Sequence, residues 1–226
     1  MVRHLHALLW ALVLSAGCAH ATAGPESGEP LKLPAPELKG ELSVEQALQQ
    51  RRSRREFAAS PLNLSDVSQV LWAAQGVTHP KGYRTAPSAG ALAPLEVYLV
   101  AGSVTDLPAG VYRYQAQAHA LVVVRSGELR AQLAAAALGQ AAIREAPAVL
   151  VIAAVYQRTL NRYGSRGERY VHMEAGHAAQ NVYLQCTARG LATVLVGAFD
   201  DLKVRDALTL PSDHAPLALM PFGRMR

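Results

Sequence analysis

The feature that most constrains the fold is the stretch from Glu168 to Phe199, in which a helical pattern runs directly into a short apolar strand. Small and apolar residues recur there at three- and four-residue steps, which predicts a long helix with one buried face. Gly190 stands where a left-handed residue ends such a helix, and Leu191 to Val196 follows as an apolar strand. The stretch therefore predicts the centre of an α/β core. The residues of the buried face are Val171, Ala175, Ala178, Val182, Tyr183 and Cys186.

The middle of this helix carries little side-chain bulk, because Gly176 lies among alanines. Another backbone could approach closely at such a position. An ordinary core helix with no function of its own has the same pattern, so the stretch alone predicts a fold and not an activity.

The composition favours one globular domain, since half of the 226 residues are hydrophobic and 17% are charged. Charge at that level is too low for a disordered chain or a coiled coil. The net charge of +5 comes mainly from scattered arginines, and aromatic residues make up 6% of the chain. This pattern argues against nucleic-acid binding. Arginine suits bidentate recognition of phosphate or carboxylate, although a GC-rich genome would also enrich it.

Residues 1–21 are predicted to be an export signal. Arg3 precedes an apolar run from Ala7 to Ala16, which is too short to span a bilayer. Two processing sites remain open. One is a lipobox ending at Cys18, which would make the mature protein a lipoprotein, and the other is an A-x-A site at residues 19–21. We expect an exported protein, either periplasmic or anchored to the envelope by a lipid, with no other membrane contact.

Residues 22–42 are rich in proline and are predicted to be a tether, with the folded domain covering residues 43–226. Ser43 and Gln46 form a capping box that begins a first helix. This helix runs into Arg51-Arg52-Ser53-Arg54-Arg55. On a helix, Arg51 and Arg55 would lie one turn apart beside the Ser53 hydroxyl and could bind a phosphate. A solvated basic face is the alternative interpretation.

The rest of the chain mixes helices and strands. A helix capped by Ser65 and ended by Gly76 precedes a loop whose tip is Pro87-Ser88-Ala89-Gly90. Small residues there could let a flat ligand approach the backbone, although a plain tight loop is the commoner case. Strands are predicted at 95–100, 110–114, 120–125, 147–156 and 215–222, helices at 128–138 and 201–208, and a polar loop at 158–167. The order indicates an α+β domain.

Several site chemistries are excluded by their spacing. His172 and His177 lie five residues apart with no cysteine or carboxylate to complete a zinc site, so no metal is predicted. Neither a phosphate-binding P-loop nor a dinucleotide-binding glycine motif is present.

Five segments in order resemble the nitroreductase family of flavoproteins, and specifically its SagB-type dehydrogenase branch. They are RRSRREF (51–57), RTAPSAGALAPLEVYLV (84–100), GVYRY (110–114), RYGSRGERYVHMEAGHAAQNVYLQCTARGLATVLVGAFDD (162–201) and PLALMPFG (216–223). The resemblance implies an α+β fold with a mostly antiparallel sheet flanked by helices. It also implies a homodimer that holds FMN at the subunit interface.

The resemblance also assigns roles to residues. Arg51, Arg52, Ser53 and Arg55 would hold the FMN phosphate and ribityl chain, and Gly223 and Arg224 would close the phosphate end. Pro87, Ser88, Ala89 and Gly90 would lie along the flavin ring from the partner subunit. Val196 and Gly197 would present backbone amides to its reducible edge. Tyr163 would serve as the catalytic proton donor or substrate contact.

The implied activity is FMN-dependent hydride transfer to or from a small-molecule or peptide-derived substrate, with NAD(P)H as a candidate partner. Two departures weaken it. Ala93 stands where related sequences carry tyrosine, and Arg162 precedes Tyr163 where azoline-oxidising members use lysine. Arginine does not deprotonate in proteins, so it cannot replace that lysine as a base. A flavin-binding envelope protein without catalysis is therefore the alternative.

Overall fold

The computed structural model describes residues 29–226, in which seven strands form one antiparallel sheet in the order β1-β4-β3-β2-β5-β7-β6. The strands are β1 (Leu31–Lys32), β2 (Leu95–Ala101), β3 (Gly110–Gln115), β4 (Ala120–Ser126), β5 (Ala148–Ala154), β6 (Leu191–Thr193) and β7 (Ala215–Arg224). The helices are α1 (Val44–Gln50), α2 (Leu64–Gln75), α3 (Arg130–Ala136), α4 (Ala141–Glu145), α5 (Tyr156–Tyr163), α6 (Arg166–Ala188) and α7 (Asp201–Leu208), with a 3₁₀ turn at Ala89–Ala91. The predicted α+β class and antiparallel sheet are confirmed.

Helices cover both faces of this sheet. Every residue of β5 is buried, and its side chains alternate between two cores. Leu150 and Ile152 pack with α2 and α6 on one face, whereas Val149 and Val151 pack with α3, α4 and α7 on the other. Such alternation is what a strand buried on both sides requires. The domain therefore has three layers.

The long helix α6 confirms the pattern that the sequence analysis started from. Val171, Ala178, Val182 and Cys186 are fully buried, and Gly190 adopts φ +65° directly after the helix. Gly176 lies on the exposed side of α6, with open space where a Cβ would be.

Of the two predicted N-terminal helix caps, one is confirmed and the other is wrong. Ser43 and Gln46 form both hydrogen bonds of a capping box, and the Asp200 side chain accepts from the Lys203 N–H. The cap of α2 is Asn63 rather than Ser65, because the Asn63 side chain accepts from the Asp66 N–H and Ser65 lies inside the helix.

Folded structure begins before Ser43, so the prediction of a free tether is wrong for residues 29–42. Leu31 pairs with Leu121 in the sheet, and Leu33 is buried. The Glu37 N–H donates to the Gln69 side chain at 2.8 Å. Packing of this segment on the domain therefore buries the Leu33 side chain and gives the Glu37 backbone N–H a hydrogen-bond partner. The predicted export signal and residues 22–28 lie outside the described residues, and none of the helices within 29–226 is long and apolar enough to cross a membrane.

The predicted polar loop at 158–167 is wrong, since residues 156–163 form α5. Only Thr159 of this helix is buried, so the helix carries almost no apolar signal of its own. It packs on α6 where a Cβ at Gly167 would come within 3.1 Å of the Thr159 backbone. The absence of a side chain at Gly167 allows this close approach. Three other elements are shorter than predicted, namely α3, β5 and β6.

Candidate functional site

The arginine-rich segment leaves α1 and runs along the end of the sheet. The Arg54 N–H donates to the Thr193 carbonyl of β6 at 2.9 Å, and the Ala58 N–H donates to the Arg224 carbonyl of β7 at 3.0 Å. These backbone bonds bring the arginine run, the residues after β6 and the end of β7 to one place. The structure thus gathers most of the predicted phosphate-binding residues.

Arg51 and Arg55 do not share a helical face, because α1 ends at Gln50 and Arg51 is already extended (φ −53°, ψ 122°). The prediction of two arginines one helical turn apart is therefore wrong. Instead, the Arg51 guanidinium lies 5.1 Å from the centre of the Tyr183 ring. Arg52 turns back and donates to the Gln49 and Arg51 carbonyls. Within residues 29–226, neither Arg51 nor Arg55 forms an ion pair with a carboxylate, so both charges are available to an anion.

Tyr183 organises this end of the site, a role that the sequence analysis missed. Its hydroxyl lies 2.9 Å from the Ser53 Oγ and accepts from the Leu195 N–H at 2.8 Å. The same side chain therefore links the arginine segment to the residues that follow β6. On the sequence, Tyr183 read as a core residue of α6. Its phenol at the edge of an otherwise aliphatic face was the available signal.

The two backbone amides predicted to face a cofactor differ. The Val196 N–H donates to the Leu219 carbonyl at 2.8 Å and Val196 is buried, so that amide is already paired within the chain. Gly197 is exposed, and its N–H has no hydrogen-bond partner within residues 29–226. Gly197 is therefore the amide that a ligand could use.

Gly223 and Arg224 also differ in what they do. Gly223 is buried, and a Cβ there would lie 2.6 Å from the Pro147 ring, so its place in the structure is one of close packing. Arg224 is held by Asp66, whose second carboxylate oxygen accepts from the Arg189 Nε at 2.9 Å. Asp66 is 2% exposed and is the buried centre of an ion-pair network with Arg189 and Arg224, which the sequence did not reveal. Arg189 also pairs with Glu37 at 3.2 Å.

The loop at Pro87–Gly90 forms a second group of predicted residues. Gly90 adopts φ +61°, and a Cβ there would lie 2.8 Å from the Tyr163 hydroxyl. Ala91 and Ala93 also have positive φ, of 56° and 45°. Such strained backbone is held only where surrounding contacts require it, and it is concentrated at functional sites. The structure therefore brings Tyr163 to the small-residue loop, as a site containing both would need.

Beneath this loop lies Glu174 of α6, which the sequence analysis also missed. The residue is 3% exposed, and neither carboxylate oxygen has a hydrogen-bond partner among residues 29–226. Burial raises the pKa of the Glu174 carboxyl to about 7, although the Ser88 hydroxyl, the Ala89 N–H and the Arg84 guanidinium oppose the shift. Burial thus moves the titration of the Glu174 carboxyl towards neutral pH.

The arginine segment beside Tyr183 and the Pro87–Gly90 loop above Glu174 lie apart within one chain. Tyr183 and Glu174 are nine residues apart on α6, which corresponds to about 13 Å along a helix. A cavity of about 700 Å³ lies between residues 37–44, α2 and α6, and of the predicted cofactor residues only Arg224 lines it.

A prediction follows from the Tyr183 hydroxyl. Tyr183→Phe keeps the ring beneath Arg51 but removes the contacts to Ser53 and Leu195. We expect the free energy of unfolding to fall by about 1 kcal/mol, the usual net value of a hydrogen bond. Urea titration measures this change. Tyr83→Phe is the control, because Tyr83 is 51% exposed and its hydroxyl has no partner in the described chain. Equal stabilities of the two variants would contradict the linking role.

The sequence pattern of the Nitroreductase family matches residues 48–224. The chain belongs to this family. It is 48% identical over 197 residues to the nitroreductase MJ1384 of Methanocaldococcus jannaschii. The matched region covers 87% of this chain and 98% of that protein. A nitroreductase structure from Ralstonia eutropha JMP134 matches with a TM-score of 0.77 at 32% identity, over 91% of this chain and 93% of that one.

A more distant structure shares the fold of this nitroreductase-family chain. The NADPH:FMN oxidoreductase of Vibrio harveyi, complexed with NAD+, matches with a TM-score of 0.58 at 23% identity, over 80% of this chain and 68% of that one. Membership of the family makes the protein an oxidoreductase by descent and confirms the predicted family and fold.

Proposed function

We propose that the protein is an FMN-dependent oxidoreductase of the SagB-type branch, acting on a small-molecule or peptide-derived substrate with NAD(P)H as a candidate hydride donor. The observation that carries the proposal is the cluster at the end of β6 and β7. Arg51 and Arg55 there lack carboxylate partners, and the Ser53 hydroxyl and the unpaired Gly197 N–H lie on the segments joined by Tyr183. A phosphate monoester with a polar chain fits such a set of donors.

FMN would supply the redox chemistry, namely hydride transfer at its ring system, and the protein would bind, orient and shield it. Arg51 and Arg55 would bind the phosphate, with Arg52 contributing charge nearby. Ser53 would donate to the ribityl chain, and the Gly197 N–H would donate to the ring. The Vibrio harveyi relative is named for FMN and NADPH, which supports the same cofactor and donor here.

The second group would complete the site from a partner subunit. The separation of about 13 Å along α6 places the Pro87–Gly90 loop and Tyr163 away from the arginine segment of the same chain. The exposed side of α6, which includes Met173 (53% exposed) and Gly176, offers a surface on which a second copy could pack. In a homodimer built on this surface, Ser88 and Ala89 would lie against the flavin, and Tyr163 would donate a proton to the substrate.

Flavin binding is tested by thermal unfolding of the full-length protein with increasing FMN. A ligand that binds only the folded state raises the melting temperature progressively with its concentration. We expect such a rise with FMN, and a smaller rise with riboflavin, which lacks the phosphate. A colourless protein whose melting temperature does not change with added FMN would overturn the proposal.

A flavin-binding protein without catalysis is the second candidate. Ala93 and Arg162 favour it, because both replace residues expected in active relatives, and the Arg162 guanidinium lies 5.5 Å from the centre of the Tyr163 ring. Arginine in that place stabilises the phenol by stacking but does not accept a proton. The two candidates differ in whether the bound flavin is reduced and reoxidised.

Export and lipid anchoring through Cys18 form part of the same proposal. The apolar run before Ala16-Gly17-Cys18 supports it. The intact mass of protein extracted from membranes should correspond to a chain that starts at Cys18 and carries acyl groups. A product that begins at Thr22 would instead show cleavage after the A-x-A site.

A further inference from the structure

The inference concerns the buried carboxylate of Glu174. An ionised carboxylate out of water needs hydrogen-bond donors, because otherwise its desolvation is very costly. Glu174 is 3% exposed and has no such donor within bonding distance among residues 29–226. Its neighbours on α6, Val171, Ala175 and Ala178, belong to an apolar core that also contains Leu95, Val97 and Leu99 of β2. The carboxylate thus forms no well-made hydrogen bond, although the Ser88 hydroxyl and the Ala89 N–H lie close enough to lower its pKa.

The loop above Glu174 carries hydrogen-bond donors that lack acceptors. The Ser88 Oγ accepts from the Ala93 N–H at 2.8 Å, which leaves the Ser88 O–H free to donate. The Ala89 N–H also has no partner within the described residues. Both groups act on the Glu174 carboxyl by favouring its ionised form. Two unused donors therefore stand next to two unused acceptor oxygens.

The charged and titratable surroundings of Glu174 are few. Arg84, from the loop after α2, favours the ionised form. Arg162 and Tyr163 of α5 contact the Gly90 side of the same loop. On α6 itself, Tyr170 and His177 lie about one turn away on either side. Of these groups only the Arg84 charge acts on Glu174, and it opposes the larger effect of burial on the pKa.

We propose that Glu174 is a positioning residue whose carboxylate anchors the Ser88–Ala89 loop when the loop closes on a bound flavin, and that it releases its proton to solvent as it does so. The inference rests on the proposed function. Movement of the loop towards α6 would bring the Ser88 O–H and the Ala89 N–H within hydrogen-bonding distance of the two oxygens. Charge-assisted bonds of this kind favour the ionised acid.

The sign of the effect follows from linkage. In the flavin-free protein burial holds the pKa of Glu174 at about 7, so at pH 6 the group is mostly protonated. If the flavin-bound form ionises it, binding releases a proton, and FMN affinity rises with pH up to roughly tenfold per unit below pH 7. The FMN phosphate also titrates, near pH 6, and contributes to the slope. That contribution is common to all variants of residue 174.

The experiment is calorimetric titration of the full-length protein with FMN at pH 6 in two buffers of different ionisation enthalpy, which counts the protons released. We expect the wild-type protein to release nearly one proton more than Glu174→Gln, whose amide does not ionise. Glu168→Gln is the matched control, since Glu168 lies on the same helix and is exposed. It should release the same number of protons as the wild type.

Equal proton release by the wild type and Glu174→Gln, with FMN bound by both, would overturn this inference and leave the proposed function intact. Absence of FMN binding by the wild type would overturn the proposed function and this inference with it. If Glu174→Gln does not fold, Ser88→Ala tests the same contact by removing one donor. It should lower the proton release at pH 6, and an unchanged count would again overturn the inference.

Discussion

Arg51→Ala is expected to weaken FMN binding by roughly 1.5–3 kcal/mol, the range for a hydrogen bond to a charged group, while the fold is retained. The Arg51 guanidinium lies over the Tyr183 ring and has no carboxylate partner in the described chain. Its paired N–H donors are therefore available to a phosphate. Two parallel hydrogen bonds to a dianion are the interaction that this geometry favours. The dissociation constant, measured by fluorescence quenching of FMN, should rise roughly 10- to 150-fold.

Arg54→Ala is the matched control for this prediction. Arg54 belongs to the same run, but its contact with β6 is made by its backbone N–H, which the alanine variant keeps. We expect little change in its FMN affinity, and an intermediate loss in Arg51→Lys, which keeps the charge and loses the fork. If Arg51→Ala and Arg54→Ala bind FMN as the parent does, the arginine run is only a solvated face.

Asp66→Asn should lower the free energy of unfolding by about 3 kcal/mol, towards the lower end of the cost of breaking a buried ion pair. The carboxylate is 2% exposed and accepts from both Arg189 and Arg224. Asparagine keeps the shape and the backbone contact to Asn63 but leaves two guanidinium groups without their shared acceptor. Arg224 is 38% exposed and can regain water, which is why the loss stays below the upper limit.

The control for Asp66→Asn is Glu128→Gln. Glu128 pairs with Arg130 at 2.6 Å, but its side chain is 46% exposed. Surface pairs contribute about 0–1 kcal/mol, so we expect a small change in the urea midpoint. A loss in Asp66→Asn no larger than that of Glu128→Gln would show that the buried pair does not stabilise the fold.

The elements that the sequence predicted well are those with a strong local pattern. The buried face of α6, the Gly190 stop and the Ser43 capping box each depend on residues close together in the chain. The prediction failed where packing decides. Helix α5 buries only Thr159 and looks like a loop by composition, yet it forms because α6 offers it a surface at Gly167.

The candidate site shows the same division. Arg51, Ser53 and Gly90 could be chosen from the sequence because they match a family motif. The ion pair between Asp66 and Arg224 joins residues 158 positions apart, so no local sequence pattern predicts it. Glu174 could not be predicted from the helical pattern, because its burial and its missing hydrogen bonds depend on the loop that covers it.

The central claim, an oxidoreductase that works through bound FMN, is tested most directly by mixing the FMN-loaded protein anaerobically with NADPH, and separately with NADH, and then adding a quinone. The account predicts that the visible flavin absorbance bleaches with at least one donor and returns with the quinone, over repeated cycles. Bound FMN that stays oxidised with both donors, and that does not pass electrons to the quinone after chemical reduction, would contradict it.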